Sequence, residues 1–280
     1  MRARGFTLVE LLVVVALVGG MVGVLLPALA GARGAARSAV CLGQLRQMGV
    51  AWTLYAGDHR GLAMPLAYTD AAHTRGGDGI YWWGADGSTT GRLDHDRGLL
   101  TTYLDARPGE AGLYACPAQR PGTYHHQGTT GTPTSTYGYN GYYLSPAFTP
   151  GWSRQIAHRP HQRLATIEHP TQVLVFADTL ISRGPGALPA SNALLDPPML
   201  YSGGPGRPGR WQANEFPTSC FRHGGASAGA GVGGVCQGVH ADGSAQGYAA
   251  QPEWLAQPAQ GIGSIGIHND PRYIPDWRAW

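Results

Sequence analysis

An uncharged apolar segment near the N-terminus constrains the chain more than any other feature. Residues 11–32 form a run of 22 positions without a charged side chain. As a helix, this run extends roughly 33 Å at about 1.5 Å per residue, which is enough to cross a hydrocarbon core of about 30 Å. The sequence therefore predicts that the chain begins with a membrane-spanning helix.

Two ordinary interpretations of this segment leave Glu10 unexplained. A secretory signal peptide has a shorter apolar region that ends at a small-residue cleavage site. A plain signal anchor fits the length, but it gains nothing from a carboxylate at the start of the apolar run. Such a carboxylate costs about 2.5–3.5 kcal/mol at the membrane centre and less near the interface, so ionisable residues there usually have a partner.

Cleavage between Gly5 and Phe6 would supply that partner. The cut exposes an α-amino group on Phe6, one helical turn before Glu10. When the helices of several subunits form a bundle, the amine of one chain can meet the Glu10 carboxylate of the next. The charge is then paired inside an otherwise apolar bundle, which makes Glu10 a residue for assembly.

Residues 5–10, Gly-Phe-Thr-Leu-Val-Glu, resemble the cleavage and methylation motif of type IV prepilins and type II secretion pseudopilins. The resemblance implies that a prepilin peptidase cuts after Gly5 and methylates the new N-terminal Phe6. It also implies that Glu10 acts in assembly with other pilin or pseudopilin subunits. Pro27 removes one helix hydrogen bond, and pilin-like helices often carry a proline at this depth and melt locally on assembly.

The helix is predicted to continue beyond the membrane to about Ala56, where the segment Asp58–Gly61 ends it. Apolar residues recur there at steps of three and four, which is typical of a helix face that packs on a core. The stripe consists of Leu42, Leu45, Met48, Trp52 and Tyr55. We therefore divide the chain into a leader (1–5), a transmembrane half-helix (6–32), an amphipathic half-helix (33–57) and an extracytoplasmic globular domain (58–280).

The rest of the chain is rich in glycine and proline and breaks into short segments. Residues 172–177 form the best strand candidate, and Asp242-Gly243 indicates a two-residue turn between strands at 235–239 and 245–248. Further strands are predicted at 80–83, 113–117 and 136–143, and short helices at 98–104 and 163–168. This pattern predicts an α+β fold, in which the long N-terminal helix packs on an antiparallel sheet as in pilins.

Six short motifs are spread along the chain from the amphipathic half-helix onwards. They are Leu45-Arg46-Gln47 with Tyr55, Cys116-Pro117, Tyr137-Gly138-Tyr139-Asn140, Phe176-Ala177-Asp178, Arg222-His223-Gly224-Gly225 and Ala241-Asp242-Gly243. Together they resemble the large pilin-like proteins of planctomycete-type bacteria, which combine a prepilin N-terminus with a C-terminal His…Asp-Gly element. In that family the two parts of the element lie closer together. Here eighteen residues separate His223 from Asp242, because of a Gly/Ala-rich insertion around 226–234. The role of His223 therefore stays open.

Charge and motif content exclude several functions. The net charge is only +3, and the arginines form no basic stripe, so we expect no nucleic-acid partner. The sequence has no Gly-x-Ser-x-Gly, no Walker-type loop and no His-Glu-x-x-His, so we expect a protein that is not an enzyme.

The four cysteines show no zinc-type spacing and allow three disulfide pairings. We favour Cys220 with Cys236, which would close a short glycine-rich loop, and buried or free thiols are the alternative. No cofactor is expected. Calcium is the ion to consider, with Asp178 and Asp242 as candidate ligands, although we favour turn and cap chemistry for both.

Two functional hypotheses follow. In the first, the chain is a structural subunit of a type IV pilus-like or type II secretion pseudopilus filament, anchored by a single pass in the bacterial inner membrane. The alternative is a membrane-anchored extracytoplasmic binding protein that uses the leader only for export. The aromatic segments 81–83 and 137–143 would then line a polysaccharide surface, although core packing is favoured for them. Glu10 discriminates between the two hypotheses, because a mere anchor does not need it.

Overall fold

The computed structural model describes residues 7–104, 113–119, 122–125, 135–149, 159–184, 186–201, 203, 209–224 and 233–276. These residues form one long N-terminal helix and a domain of short antiparallel sheets. The predicted α+β class is confirmed.

Helix α1 (Leu8–Asp58) is 51 residues long and has two different halves. Its N-terminal half is exposed, whereas one face is buried from Cys41 onwards. The predicted stripe is confirmed, with Leu42 half-buried and its other four members buried. The helix ends within two residues of the predicted position, where Arg60 and Gly61 both adopt positive φ angles, of 59° and 75°.

A four-stranded antiparallel sheet forms the centre of the globular domain, in the order β10-β9-β5-β4. Pairing places Tyr139 opposite Phe176 and places Ala177 opposite Gly238. The strands are β4 (Tyr137–Tyr139), β5 (Leu174–Asp178), β9 (Val235–His240) and β10 (Ala245–Ala249). Strand β5 lies in the interior of this sheet, and all five of its residues are buried.

Helix α1 covers one face of this sheet. The Trp52 indole N–H donates a hydrogen bond to the Tyr139 hydroxyl (3.2 Å), and the Tyr137 hydroxyl donates to Gln44 Oε1 (2.7 Å). A second apolar cluster covers the opposite face; it includes Leu174, Ala177, Cys236, Ile265 and Tyr273. Because both faces are covered, β5 is buried along its whole length and β9 is buried from Cys236 onwards.

Smaller elements surround the central sheet. One three-stranded sheet contains β1 (Ala67–Tyr68), β2 (Ile80–Tyr81) and β3 (Gly84–Ala85), and another contains β8 (Ser219–Cys220), β11 (Leu255–Gln257) and β12 (Ile262–Gly263). Strands β6 (Met199–Tyr201) and β7 (Trp211–Ala213) form a two-stranded sheet. Two four-residue helices are α2 (Ala71–Thr74) and α3 (Gly141–Leu144), and short 3₁₀ turns occur at His95–Arg97, Thr101–Tyr103, Pro146–Phe148, Leu164–Thr166, Pro252–Trp254 and Pro258–Gln260.

Some predicted elements differ from the structure. Residues 113–117 form turns rather than a strand, and the strand predicted at 136–143 ends at Tyr139, before α3. The helices predicted at 98–104 and 163–168 are single 3₁₀ turns. The β9–β10 hairpin is present, but four residues, 241–244, separate its strands instead of two, and Gly243 in this loop has a left-handed φ of 84°.

Candidate processing and assembly site

The N-terminus of α1 is closed by a reciprocal capping box. Thr7 is the N-cap, and its hydroxyl accepts a hydrogen bond from the Glu10 backbone N–H (3.3 Å). In return, the Thr7 backbone N–H and hydroxyl donate to Glu10 Oε2 at 2.9 and 2.8 Å. Because this arrangement satisfies amides that the first helical turn leaves without partners, Thr7 and Glu10 define where the helix begins. The predicted processing residues Gly5 and Phe6 lie outside the described residues.

The two oxygens of the Glu10 carboxylate differ in their hydrogen bonding. Within the described part of the chain, its hydrogen bonds all fall on Oε2, and the side chain is exposed. Oε1 accepts no hydrogen bond from these residues. The carboxylate therefore caps its own helix through one oxygen only.

The helix surface around Glu10 is apolar and contacts nothing else in the described chain. An 18-residue window of α1 has a mean hydropathy of 2.6, and none of that window is buried. Leu8 and Val24 are 79% and 73% exposed, and most of the exposed large apolar side chains lie on this half-helix. By length and composition the helix can cross a membrane, which is consistent with membrane anchoring. A bare apolar surface of this size requires lipid or other helices around it.

Pro27 lies inside α1, and the helix continues through it without a break. A bend or loosening of the helix at Pro27 and its local melting on assembly both stay predictions. Gly19, Gly20 and Gly23 leave open space around the same stretch, since a Cβ placed on any of them meets no atom within 4 Å. This part of the helix therefore offers a narrow surface on which another helix can approach closely.

The preferred disulfide is not formed in the structure. All four cysteines are buried free thiols. The Cys236 thiol instead donates a hydrogen bond to the Asp178 carbonyl oxygen (3.5 Å), so its sulfur has a backbone partner within the sheet. The alternative of buried free thiols describes Cys220 and Cys236 correctly.

The two candidate calcium ligands are not brought together. Asp178 is the last residue of β5 and lies beside Gln237, and the Gln237 backbone N–H donates to Asp178 Oδ2 (2.9 Å). Asp242 lies in the hairpin loop that follows β9. Asp242 accepts hydrogen bonds from the Ser244 N–H (2.9 Å) and hydroxyl (2.7 Å), which is the turn chemistry we favoured. Asp178 does not follow that expectation, because it is a buried strand residue rather than a turn residue.

His223 is held at the base of the Gly/Ala-rich insertion. Its backbone N–H and carbonyl are both hydrogen-bonded to Val235, so the described residues on the two sides of this segment form an antiparallel bridge. The His223 Nε2 atom lies 3.2 Å from Asp178 Oδ2 and 3.3 Å from Cys116 Sγ. Burial lowers the pKa of His223, but its contacts with Asp178 and Cys116 outweigh burial and raise the pKa to about 9.

Sequence reasoning missed this grouping. The quoted motifs include Cys116, Asp178 and His223 as members of three separate segments, and nothing in their spacing predicted that they meet. Cys41, which joins them, occupies the position four residues before Leu45 on the buried stripe of α1. That helical spacing is the one available sign that Cys41 faces the sheet.

Comparison with known proteins bears on the N-terminal site. Residues 1–25 match the model of the prokaryotic N-terminal methylation motif. Neither the curated proteins nor the solved structures compared with the chain give a match. The likeness to planctomycete-type proteins stays a prediction. The matched motif, followed by an exposed apolar helix, supports a type IV pilin-like protein with a prepilin-type N-terminus.

Proposed function

We propose that the chain is a structural, non-enzymatic subunit of a helical filament of the type IV pilus or type II secretion pseudopilus kind. The observation that carries the proposal is the Glu10 carboxylate, which lies on an apolar half-helix that the chain leaves exposed. A soluble domain would bury such a helix, and a simple anchor would not place an acid on it.

Assembly follows from the chemistry of this surface. Processing after Gly5 leaves an α-ammonium group on Phe6, and Glu10 Oε1 is an acceptor that its own helix does not use. In a bundle, the amine of one subunit pairs with the Glu10 carboxylate of its neighbour. The contact joins two different patches, so it can repeat from subunit to subunit, and it generates an open helical polymer when the rotation between subunits does not close a ring.

The same proposal places the globular domain outside the cytoplasm. A prepilin-type leader remains on the cytoplasmic side, where the peptidase removes it, and the half-helix that follows holds the unassembled subunit in the inner membrane. Residues from Cys41 onwards then lie beyond the membrane, because they pack on the sheet instead of on lipid.

Burial of most of the aromatic rings supports the filament proposal over a sugar-binding surface. Trp82 and Trp83 are buried, as are Tyr137, Tyr139 and the two tyrosines of α3. These rings belong to the core and cannot stack on a sugar without unfolding the domain. Core packing, the interpretation we favoured for these segments, is confirmed for them.

A pair of substitutions separates the charge of Glu10 from its capping role. Glu10→Gln keeps a residue that can complete the capping box but removes the charge, whereas Thr7→Ala removes the cap and keeps the charge. We expect Glu10→Gln to insert into the membrane normally and to disappear from sheared filament fractions, while Thr7→Ala still assembles. Wild-type incorporation of Glu10→Gln would refute the proposal.

Processing is tested independently by mass spectrometry of the N-terminal peptide from native membranes. We expect a peptide that begins at N-methylated Phe6. An intact Met1 terminus in the mature protein would contradict the assignment of Gly5 as the cleavage residue.

A further inference from the structure

Four potential metal ligands from four separate segments meet in the interior of the domain. They are Cys41 on α1, Cys116 in the turn before Pro117, Asp178 at the end of β5 and His223 beside β9. Their ligand atoms all lie within 4.8 Å of one another. Each residue is at most 3% exposed, so the group is closed to solvent.

The separations match the edges of a tetrahedron around one zinc ion. With bond lengths of about 2.3 Å to sulfur and about 2.0–2.1 Å to nitrogen and oxygen, the edges of an ideal tetrahedron are roughly 3.5–3.6 Å from sulfur to nitrogen or oxygen and about 3.3 Å from nitrogen to oxygen. With Asp178 Oδ2 as the carboxylate ligand, the observed distances are 3.7 Å from Cys41 Sγ to Oδ2, 3.3 Å from Cys116 Sγ to His223 Nε2, and 3.2 Å from His223 Nε2 to Oδ2.

Neighbouring groups hold three of the four ligand residues in place. The Gln237 backbone N–H donates to Asp178 Oδ2 (2.9 Å), and the Tyr137 hydroxyl oxygen lies 3.3 Å from Cys41 Sγ. The Cys116 backbone N–H donates to Thr136 Oγ1 (2.7 Å), which holds the Cys116 turn beside β4. Partners of this kind fix the direction of metal ligands in known sites.

Charge also balances when zinc enters. The Arg222 guanidinium lies 3.7 Å from Asp178 Oδ1 and is almost completely buried. One Zn²⁺ adds two positive charges and displaces two protons, one from the Cys41 thiol and one from the hydrogen-bonded pair of Cys116 and His223, so the net charge of this buried region does not change. The carboxylate stays paired with Arg222, and the cost of burying an uncompensated ion is avoided.

We propose that Cys41, Cys116, Asp178 and His223 form a structural zinc site. Four protein ligands leave no open position for water or substrate, which is typical of structural rather than catalytic zinc. Two soft thiolates with one imidazole favour Zn²⁺ over the hard cations Ca²⁺ and Mg²⁺. The ion would join α1 to the central sheet at Cys41, the first buried residue of the helix.

The first test uses the wild-type, full-length protein, purified in detergent with a phosphine reductant. We expect about one zinc per chain after dialysis against limiting Zn²⁺, and a higher melting temperature than after treatment with a chelator. Replacement by Co²⁺ should give a thiolate-to-cobalt charge-transfer band together with the intense visible bands of a tetrahedral site. A chain that retains no zinc and gives no charge-transfer band would overturn the assignment.

Two serine substitutions localise the ion. Cys116→Ser removes a ligand, and Cys220→Ser is a matched control, because both cysteines are 2% exposed and only Cys116 belongs to the cluster. We expect zinc to be lost in Cys116→Ser and kept in Cys220→Ser. Retention of stoichiometric zinc by Cys116→Ser refutes the site. If both variants lose zinc through misfolding, the cobalt spectrum of the wild type decides.

Peptide mapping of the native protein gives a further check. A Cys41–Cys116 disulfide would lack the two thiol hydrogens and would link the two peptides. Finding that linkage as the main native form would overturn the zinc site, whereas alkylation of both cysteines only after metal removal would support it. None of these outcomes depends on filament assembly.

Discussion

The contact between α1 and β9 leaves no room for a side chain at Gly49, and this gives a sharp test of the fold. A Cβ placed on Gly49 would lie 2.8 Å from Val239 Cγ2, closer than real contacts allow. Gly43 lies on the same helix, and a Cβ there meets nothing within 4 Å. The substitutions Gly49→Ala and Gly43→Ala therefore make the same chemical change in two different environments.

The expected magnitudes follow from two opposing effects. Alanine is about 0.8–1.0 kcal/mol more favourable than glycine in a helix interior, so Gly43→Ala should stabilise the protein by about that amount. At Gly49 the same gain is opposed by overpacking, which costs about 1–3 kcal/mol. Val239 is fully buried and β-branched, so it cannot easily rotate away. We expect Gly49→Ala to be about 1–3 kcal/mol less stable than Gly43→Ala.

Thermal unfolding in detergent, followed by tryptophan fluorescence, measures this difference. For a domain of this size, 1 kcal/mol corresponds to about 2–4 °C in melting temperature. In a protein that already carries Val239→Ala, the loss of stability caused by Gly49→Ala should be smaller than in wild type, because the atom that the new methyl group meets is gone. If Gly49→Ala melts at or above Gly43→Ala, the helix does not approach β9 in this register.

Two further substitutions test the buried polar groups. Tyr139→Phe should destabilise the domain by about 1–3 kcal/mol in urea unfolding, because the Tyr139 hydroxyl accepts from the Trp52 indole N–H and donates to the Met64 carbonyl. An unchanged unfolding midpoint would contradict these contacts. Burial raises the pKa of Asp196 to about 8. The folded state therefore keeps a proton that the unfolded state releases near pH 4, and stability falls as pH rises from about 4 to about 8. The melting temperature of Asp196→Asn should rise relative to wild type across that range, and parallel curves would refute this.

The elements that local pattern controls could be predicted from the sequence. The stripe on α1 follows a helical period, and β5 and the β9–β10 hairpin combine apolar runs with a clear turn. The segment 113–117 could not be predicted, because its conformation depends on distant groups. There the Cys116 N–H bonds to Thr136 Oγ1 and the Tyr114 carbonyl accepts from the Thr136 N–H. A window of the sequence contains neither partner.

Asn140 shows the same limit at the end of β4. Its side-chain amide donates to the Leu174 carbonyl (2.9 Å) and the Tyr273 carbonyl (2.8 Å), and the chain turns into α3 directly after it. Tyr142 and Tyr143 have strand-forming side chains, but the tertiary contacts place them in a short buried helix. The predicted strand ended too late because tertiary structure overrides propensity here.

The two candidate sites differ in the same way. The prepilin-type motif is contiguous, so a single window of sequence identifies it. The four-residue cluster has no such window, since Cys41 and Asp178 are 137 positions apart and Cys116 and His223 are 107 apart. Zinc sites in which two ligands share a turn can be recognised from spacing. This cluster takes one ligand from each segment, and only the packing of α1 on the sheet assembles it.

The position of Cys41 connects the two proposals. It is the first buried residue of α1, so force applied to the exposed half-helix within a filament would reach the globular domain close to Cys41. Single apolar contacts contribute only about 0.1–0.2 kcal/mol per atom pair, and a helix held by such contacts can peel away from its exposed end. A metal–thiolate bond at the first buried residue would oppose peeling close to the point where it begins. Cleavage after Gly5 takes place far from this point, so loss of the metal should weaken the assembled filament without changing the methylated N-terminus.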